Sequence, residues 1–368
     1  MDRSILWEGD LRTLKQLIFP LSVAMRNRFT WVSRRPVVRD KIFCLRVVFT
    51  GAHPTLRECL AQIMQAPPPA GAVSEIETYH DVAIDYFSKF LATCCSDGRI
   101  LLQQIMENNE PRRIAVLKGH DGPVWQASWA HAQFGPMFAS GSYDGKVIIW
   151  KQDSTPGDFR PSYTHNFHSS VNSVQFAPVE NGCLLACGTS DGYVTILAKG
   201  EGNNWNVDSR FKAHQGGCNA VSWAPAVAPG SLLTPSAPAV PSRRIATGGA
   251  DDVACIWRYT GHQWECENRL AEHQGWVNDV AFGPSIGMPG STLATASQDK
   301  TVIIWTWADQ SRSYNKCVLR FEEPVWKVSW SETGTVLAIS SGDAQVSLYK
   351  ENLDGQWSCL KELKQESE

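Results

Sequence analysis

The chain has 368 residues, 43% of them hydrophobic, and a formal net charge of −3. That apolar share can build a large core, and the charge balance excludes a protein that holds nucleic acid through clustered cations. The charge is uneven, with eleven Lys/Arg against six Asp/Glu in residues 1–75 and an acidic remainder.

Residues 1–72 lie outside any repeat. Apolar patches at 14–25 and 37–49 are interrupted by Arg and Pro, and 65–72 (Gln-Ala-Pro-Pro-Pro-Ala-Gly-Ala) reads as a linker. The segment before it is expected to be a disordered extension. Asp2, Glu8 and Asp10 argue against an organelle transit peptide.

From residue 73 onward an aspartate recurs in a turn. The six are Asp97, Asp144, Asp191, Asp251, Asp299 and Asp343, spaced by 47, 47, 60, 48 and 44 residues. A period near 45 residues is the length of one four-stranded propeller blade. The spacing predicts blades at about 73–110, 114–158, 162–210, 211–268, 269–318 and 319–362, with a short tail at 363–368. The long fourth interval comes from a Pro-rich insertion, 224–243, between the first two strands of its blade. Trp357 begins a segment that supplies an outer strand to the sixth blade from the end of the chain itself.

Each repeat carries its own chemistry. In the clearest copy, two apolar runs flank Asp144-Gly145, a strong hairpin-turn pair. Asp accepts hydrogen bonds from nearby amides, and Gly tolerates positive φ. Val147-Ile148-Ile149-Trp150 then reads as a strand buried on both faces. A histidine stands four residues before the first strand in three copies, as His120, His214 and His273.

The sets His120, Ser140, Asp144, Trp150; His214, Thr247, Asp251, Trp257; and His273, Thr295, Asp299, Trp305 resemble the hydrogen-bonded tetrad of WD-repeat propellers. A buried carboxylate needs such a chain of partners. Three regularly spaced copies of a hydrolase triad would make no chemical sense. Repeats one, three and six are degenerate, with Thr93 and Gln103, Cys187 and Leu197, and Ile339, Tyr349 and Phe321 at the corresponding places.

Eleven cysteines are scattered without C-x-x-C pairs, no secretory signal is evident, and no apolar run is long enough to span a membrane. Reduced, buried thiols in the cytosol or nucleus are expected. No metal, cofactor or catalytic residue is expected, since ligand spacing, a Gly-rich phosphate loop and a nucleophile elbow are all missing.

The wording of the repeats resembles one family more closely than the generic WD pattern dictates. His80-Asp81-Val82-Ala83-Ile84-Asp85-Tyr86, Gly122-Pro123-Val124-Trp125-Gln126, Ser170-Val171-Asn172-Ser173-Val174 and Trp276-Val277-Asn278-Asp279-Val280 are similar to the Sec-thirteen family, as is Pro324-Val325-Trp326-Lys327-Val328-Ser329-Trp330. The likeness covers all six repeats.

It implies an all-β, six-bladed open propeller to which an α-solenoid partner donates a seventh blade in trans. In the COPII vesicle coat that partner is Sec-thirty-one, and in the nuclear pore it is a nucleoporin of the Y-shaped scaffold. A GATOR-type nutrient-signalling complex is a third setting. The implied role is a non-enzymatic scaffold, peripheral to membranes at endoplasmic reticulum exit sites and vesicles, and present at the nuclear pore. Strand edges and blade faces left open must be covered by another chain. The expected groove for it is lined by Leu91, Ile100 and Leu102 of blade one and Val346, Leu348 and Tyr349 of blade six. The alternative is a substrate receptor reading peptides at the propeller face. Such a receptor needs an Arg cluster on the loops entering the blades, and 121–123, 168–170, 215–217 and 274–276 contain none.

Overall fold

The computed structural model describes residues 78–106, 111–226, 242–284, 290–307, 314–342 and 346–363. The extension and linker read at 1–72, and Asp343 of the sixth turn, lie outside the described residues.

Twenty-four strands form six antiparallel four-stranded sheets, each made of strands consecutive in the chain. Blade one spans 79–118, blade two 124–166, blade three 171–212, blade four 218–270, blade five 277–320 and blade six 325–363. These limits correct the expected ends of blades one and two by about one strand and leave those of blades three to six within two residues. The strands Pro111–Lys118 and Phe159–Asn166 close blades one and two, whereas the repeat spacing had cut through them. A sequence repeat is free to begin at an outer strand; a folded blade begins at its inner one.

The inner strand of each blade packs on that of the next, in the series Tyr79–Ile84, Val124–Trp129, Val171–Phe176, Cys218–Trp223, Val277–Phe282, Val325–Trp330. Among the described residues, no packing of that extent returns from Val325–Trp330 to Tyr79–Ile84. The six-bladed ring is therefore continuous at five junctions and interrupted at the sixth, between blades six and one.

The core is a series of apolar layers between blades. One joins Ala92, Ile100 and Leu102 of blade one to Val124, Phe138, Ile148 and Trp150 of blade two. Another joins Ala220, Ala246 and Ile256 of blade four to Val277, Ile303 and Trp305 of blade five. Central strands bury both faces and read as unbroken runs, as in Val-Ile-Ile-Trp. Outer strands alternate and show one face to solvent, as in Trp205–Lys212.

The turns follow their chemistry. Gly98, Gly145 and Gly192 take φ of 83°, 79° and 80°. A Cβ at Gly192 would stand 2.2 Å from the His214 carbonyl oxygen, so no other residue fits there without moving the backbone. In blades four and five the same place is held by Asp252 and Lys300 at φ 63° and 68°. The Pro-rich insertion is bounded by Trp223 and Arg244, between the first two strands of blade four. The last strand, Trp357–Leu363, pairs with Val346–Glu351 and completes blade six from the chain's own C-terminal segment.

Trp305 is 1% exposed at the junction of blades four and five. Truncating it removes a full indole and leaves a cavity. Trp305→Ala is expected to destabilise by about 3–5 kcal/mol, measured by urea unfolding. A midpoint unchanged from the parent chain would show that the layer does not depend on this ring.

Candidate partner interface

Two kinds of hydrogen-bonded device recur through the ring, and both bear on the interrupted junction. The first is the tetrad. In blade two the Trp150 indole donates to Ser140 Oγ at 2.9 Å, Ser140 Oγ meets His120 Nε2 at 2.7 Å, and His120 Nδ1 meets Asp144 Oδ2 at 3.2 Å. Blade four repeats this with Trp257 to Thr247 at 3.0 Å, Thr247 to His214 at 2.8 Å and His214 to Asp251 at 2.9 Å. Blade five has the corresponding distances of 3.1, 2.8 and 3.0 Å through Trp305, Thr295, His273 and Asp299.

One tautomer satisfies every member: the indole donates to the hydroxyl, the hydroxyl to Nε2, and Nδ1–H to the carboxylate. Burial pushes the pKa values of His120 and His273 below the ordinary histidine value, and the neighbouring Asp144 and Asp299 only partly offset it. The imidazoles are thus neutral at pH 7. For Asp144 burial pulls upward, but the amides of Asp121 and Lys146 together with His120 outweigh it and hold the carboxyl below its usual range. Asp251 and Asp299 are lowered in the same way, against burial, by bonds from His214 and Gln215 and from Thr301, Gln274 and His273.

The degenerate blades replace the device. In blade three Asp191 bonds Thr189 Oγ1 and accepts from Arg210 Nη2 at 3.2 Å, while His165 turns to the Tyr163 hydroxyl. In blade one Thr93 Oγ1 and Gln103 Oε1 are buried without a hydrogen-bond partner among the described residues.

The second device links one blade to the next, and it was not foreseen from the sequence. Polar residues at the second and third places of the inner strands reach forward. Asn172, Asn219 and Asn278 donate to the carbonyls of Cys218, Val277 and Val325 at 2.9, 3.1 and 2.9 Å. The carboxylates and polar oxygens of Asp81, Gln126, Ser173 and Asp279 accept from the amides of Ala127, Val174, Val221 and Val328 at 2.9–3.1 Å. Tryptophans at the strand ends reach back: Trp129, Trp223 and Trp330 donate to the carbonyls of Ala83, Gln175 and Ala281, each at 3.0 Å. The available signal was a polar pair recurring inside an otherwise apolar strand.

Strand alternation then sorts the residues expected to line a groove. Ile100 and Leu102 lie in the layer between blades one and two, and Tyr349 packs on the layer between blades five and six. These three do not face the interrupted junction, and the expectation for them is corrected. The strand period had been counted without knowing which parity pointed outward. Leu91 alternates with Ala92 and so faces the junction, as do Val346 and Leu348. All three are under 5% exposed in the chain itself. The junction is consequently a buried seam and not an open apolar groove.

Four buried polar groups at this seam have no hydrogen-bond partner among the described residues: Thr93 Oγ1 and Gln103 Oε1 on blade one, and Trp326 Nε1 and Ser340 Oγ on blade six. Outside the seam the same is true of Asn181 and Thr195. Among the described residues, no group of His, Cys, Asp and Glu is arranged to hold a metal ion.

Cysteine chemistry is quiet at the core. Burial pushes the Cys187 and Cys218 thiols far above their ordinary values, and Cys255 up to about 12.

Comparison with known proteins adds identity to this geometry. The family model described as "WD domain, G-beta repeat" matches residues 111–151, 264–306 and 315–350. Its first match starts at the outer strand of blade one and ends in blade two, which is the one-strand offset between repeat and blade. The chain is 46% identical over 297 residues to "Protein SEC13 homolog" of Drosophila melanogaster, covering 77% of this chain and 82% of that protein. It is 44% identical over 298 residues to "Protein transport protein sec13" of Emericella nidulans, covering 78% and 95%. For the protein of the same name from Aspergillus oryzae the figures are 43% over 304 residues, 78% and 100%. Among solved structures, a chain of "Crystal Structure of Mitotic Checkpoint Complex" superposes with a TM-score of 0.58 at 18% identity over 76% of each chain, a likeness of fold alone.

The tetrads set the acid response. A histidine whose folded pKa lies below its unfolded value binds fewer protons when folded, so stability is complete above the ordinary value near 6.5 and falls below it. The depressed aspartates add a second loss as pH falls below the ordinary carboxylate range. The urea midpoint is expected to be flat from pH 8 to 7, lower at pH 5 and lower again at pH 3.5. His273→Gln should lower the pH 7 midpoint and shrink the fall between pH 7 and 5. An unchanged fall in that variant would show that His273 does not titrate with unfolding.

Proposed function

The chain belongs to the Sec-thirteen (Sec13) family of WD-repeat propellers, and we propose that it serves protein transport as a non-enzymatic scaffold completed by a blade from another polypeptide. Its curated relatives in Emericella nidulans and Aspergillus oryzae are named as protein transport proteins. Twenty-four strands in six blades supply broad surfaces for partners, which is what a scaffold uses.

The observation that carries the reading is the seam. Five junctions carry hydrogen bonds between blades, whereas the sixth lacks inner-strand packing of comparable extent and buries polar groups that no described residue satisfies. Each such group costs about 1–3 kcal/mol while it stays unpaired. A strand-bearing segment entering between blades six and one supplies those partners and covers both terminal faces, so binding energy is concentrated at that place.

In this reading the donor is an α-solenoid protein. It is Sec-thirty-one when the pair forms the edges of the COPII coat on vesicles leaving the endoplasmic reticulum. It is a nucleoporin of the Y-shaped scaffold at the nuclear pore, and a GATOR-type complex is a further setting. The protein then sits on the cytosolic side of transport vesicles and at the pore, without touching lipid or nucleic acid itself.

Affinity purification of the tagged full chain from cell extract, followed by quantitative mass spectrometry, tests this. One large solenoid protein recovered near one-to-one is the expected result, and its identity names the assembly. Recovery of ubiquitin-ligase subunits with many substoichiometric clients would overturn the scaffold in favour of a peptide receptor.

A further inference from the structure

Two thiols meet on blade four. Its third strand, Ala254–Tyr259, and its outer strand, Trp264–Leu270, run antiparallel, with Trp257 opposite Cys266 and Cys255 opposite Arg269. Alternation puts Cys255 on the same face as Trp257, and direct pairing puts Cys266 on that face too. The register shifts between Ile256 and Trp257, so that Glu267 is an extra residue on the outer strand. A bulge of this kind bends its strand and increases the local twist. The Cys255 and Cys266 thiols come within hydrogen-bonding reach of each other across the two strands.

The two sulfurs differ in access. Cys255 is 4% exposed, and burial pushes its thiol up to about 12, against the nearby Arg269 guanidinium. Cys266 is exposed, and its S–H donates to the Asn268 carbonyl at 3.6 Å. An accessible thiol backed by a buried one suits reversible oxidation, since the outer sulfur meets the oxidant and the inner one resolves it. Cys359 is exposed as well, but it stands opposite Tyr349.

We infer that Cys255 and Cys266 are a modification site, joined as a disulfide when the chain meets a hydroperoxide. With hydrogen peroxide, the O–O bond breaks as the Cys266 sulfur takes one oxygen, giving a sulfenic acid and releasing water. The Cys255 sulfur then attacks that of Cys266. The S–S bond forms, the S–O bond breaks, and hydroxide leaves as a second water with the proton that Cys255 gives up. Two thiols and one peroxide thus yield one disulfide and two waters, and a dithiol reductant restores both thiols. The bond ties the outer strand of blade four to its third strand beside Trp257, the indole of the tetrad, which packs on the layer between blades three and four. Oxidation at this place needs no partner chain and stands apart from the seam.

The test is peptide mapping. The full chain is reduced, treated with hydrogen peroxide, alkylated, cut with trypsin and analysed by mass spectrometry without reductant. Cleavage after Arg244, Arg258 and Arg269 places the two cysteines on separate peptides, 245–258 and 259–269. The expected product is these peptides joined, lighter than their sum by two hydrogens and released by dithiothreitol. Cys266→Ser should abolish the link and leave the Tm of the reduced chain unchanged, because the side chain is exposed. Cys255→Ser should leave a sulfenic acid on Cys266 that dimedone traps, in place of the joined pair.

Cys359 is the internal control and should oxidise without forming a link. Absence of the joined peptides from the parent chain, under peroxide that oxidises Cys359, would overturn the site whether Cys266 ends as a thiol or as a sulfinic acid. Joining of Cys266 to any other cysteine, or to a second molecule as a dimer on a non-reducing gel, would overturn it as well. Linkage of Cys359 to the same extent would show that exposure alone decides, and would remove the special pairing of Cys255 with Cys266.

Discussion

Everything in this molecule depends on the fact that a blade cannot cover itself. A four-stranded sheet with Val-Ile-Ile-Trp at its centre is apolar on both faces, so each blade needs a neighbour on either side. Five junctions meet that need through layers such as the one holding Phe138 and Trp150 between blades one and two. The same requirement, applied to the outward faces of blades one and six, is left to the seam. The C-terminal strand Trp357–Leu363 completes blade six as a sheet, but a complete sheet still has two faces.

The two hydrogen-bonded devices solve different problems. The tetrad fixes a strand against its own blade and places a carboxylate at the turn, where it gathers amides such as Asp121 and Lys146. It can decay one blade at a time, as blade three shows by giving Asp191 an arginine and a threonine instead. The forward links fix one blade against the next and have no local substitute. Their donors and acceptors belong to different sheets, so an altered place is felt across a junction.

Much of the fold was legible because its signals are local. Asp-Gly turns, the near-45-residue period and the leading histidines each lie within one repeat, and together they specify six blades and three tetrads. The insertion at 224–243 and the outer strand from Trp357 were also readable, since strand and loop composition differ sharply there. What the sequence hid was relational. Whether Leu91 or Ile100 faces the seam depends on which parity of the strand points outward, and both are leucine or isoleucine in equally apolar runs. The blade limits were misplaced for a similar reason, since a periodic sequence does not mark which of its four strands comes first in space. The forward links went unread because Asn172 and Asn278 look like ordinary polar interruptions until the next blade is set beside them.

The seam then raises a question of balance. Leu91, Val346 and Leu348 are already buried, so an entering strand gains little by covering them and must part surfaces that are in contact with something. Apolar area alone is a poor reason for another chain to bind there. The unpaired oxygens of Thr93 and Gln103, the indole of Trp326 and the hydroxyl of Ser340 reverse that balance, because apolar contact leaves them unsatisfied and a strand with its own amides and carbonyls does not. Polar groups of this kind also discriminate, since a sequence unable to meet them in register loses more than one that never had them to meet. In the proposed reading, it is the polar atoms of the interrupted junction, more than its apolar area, that would select the entering strand.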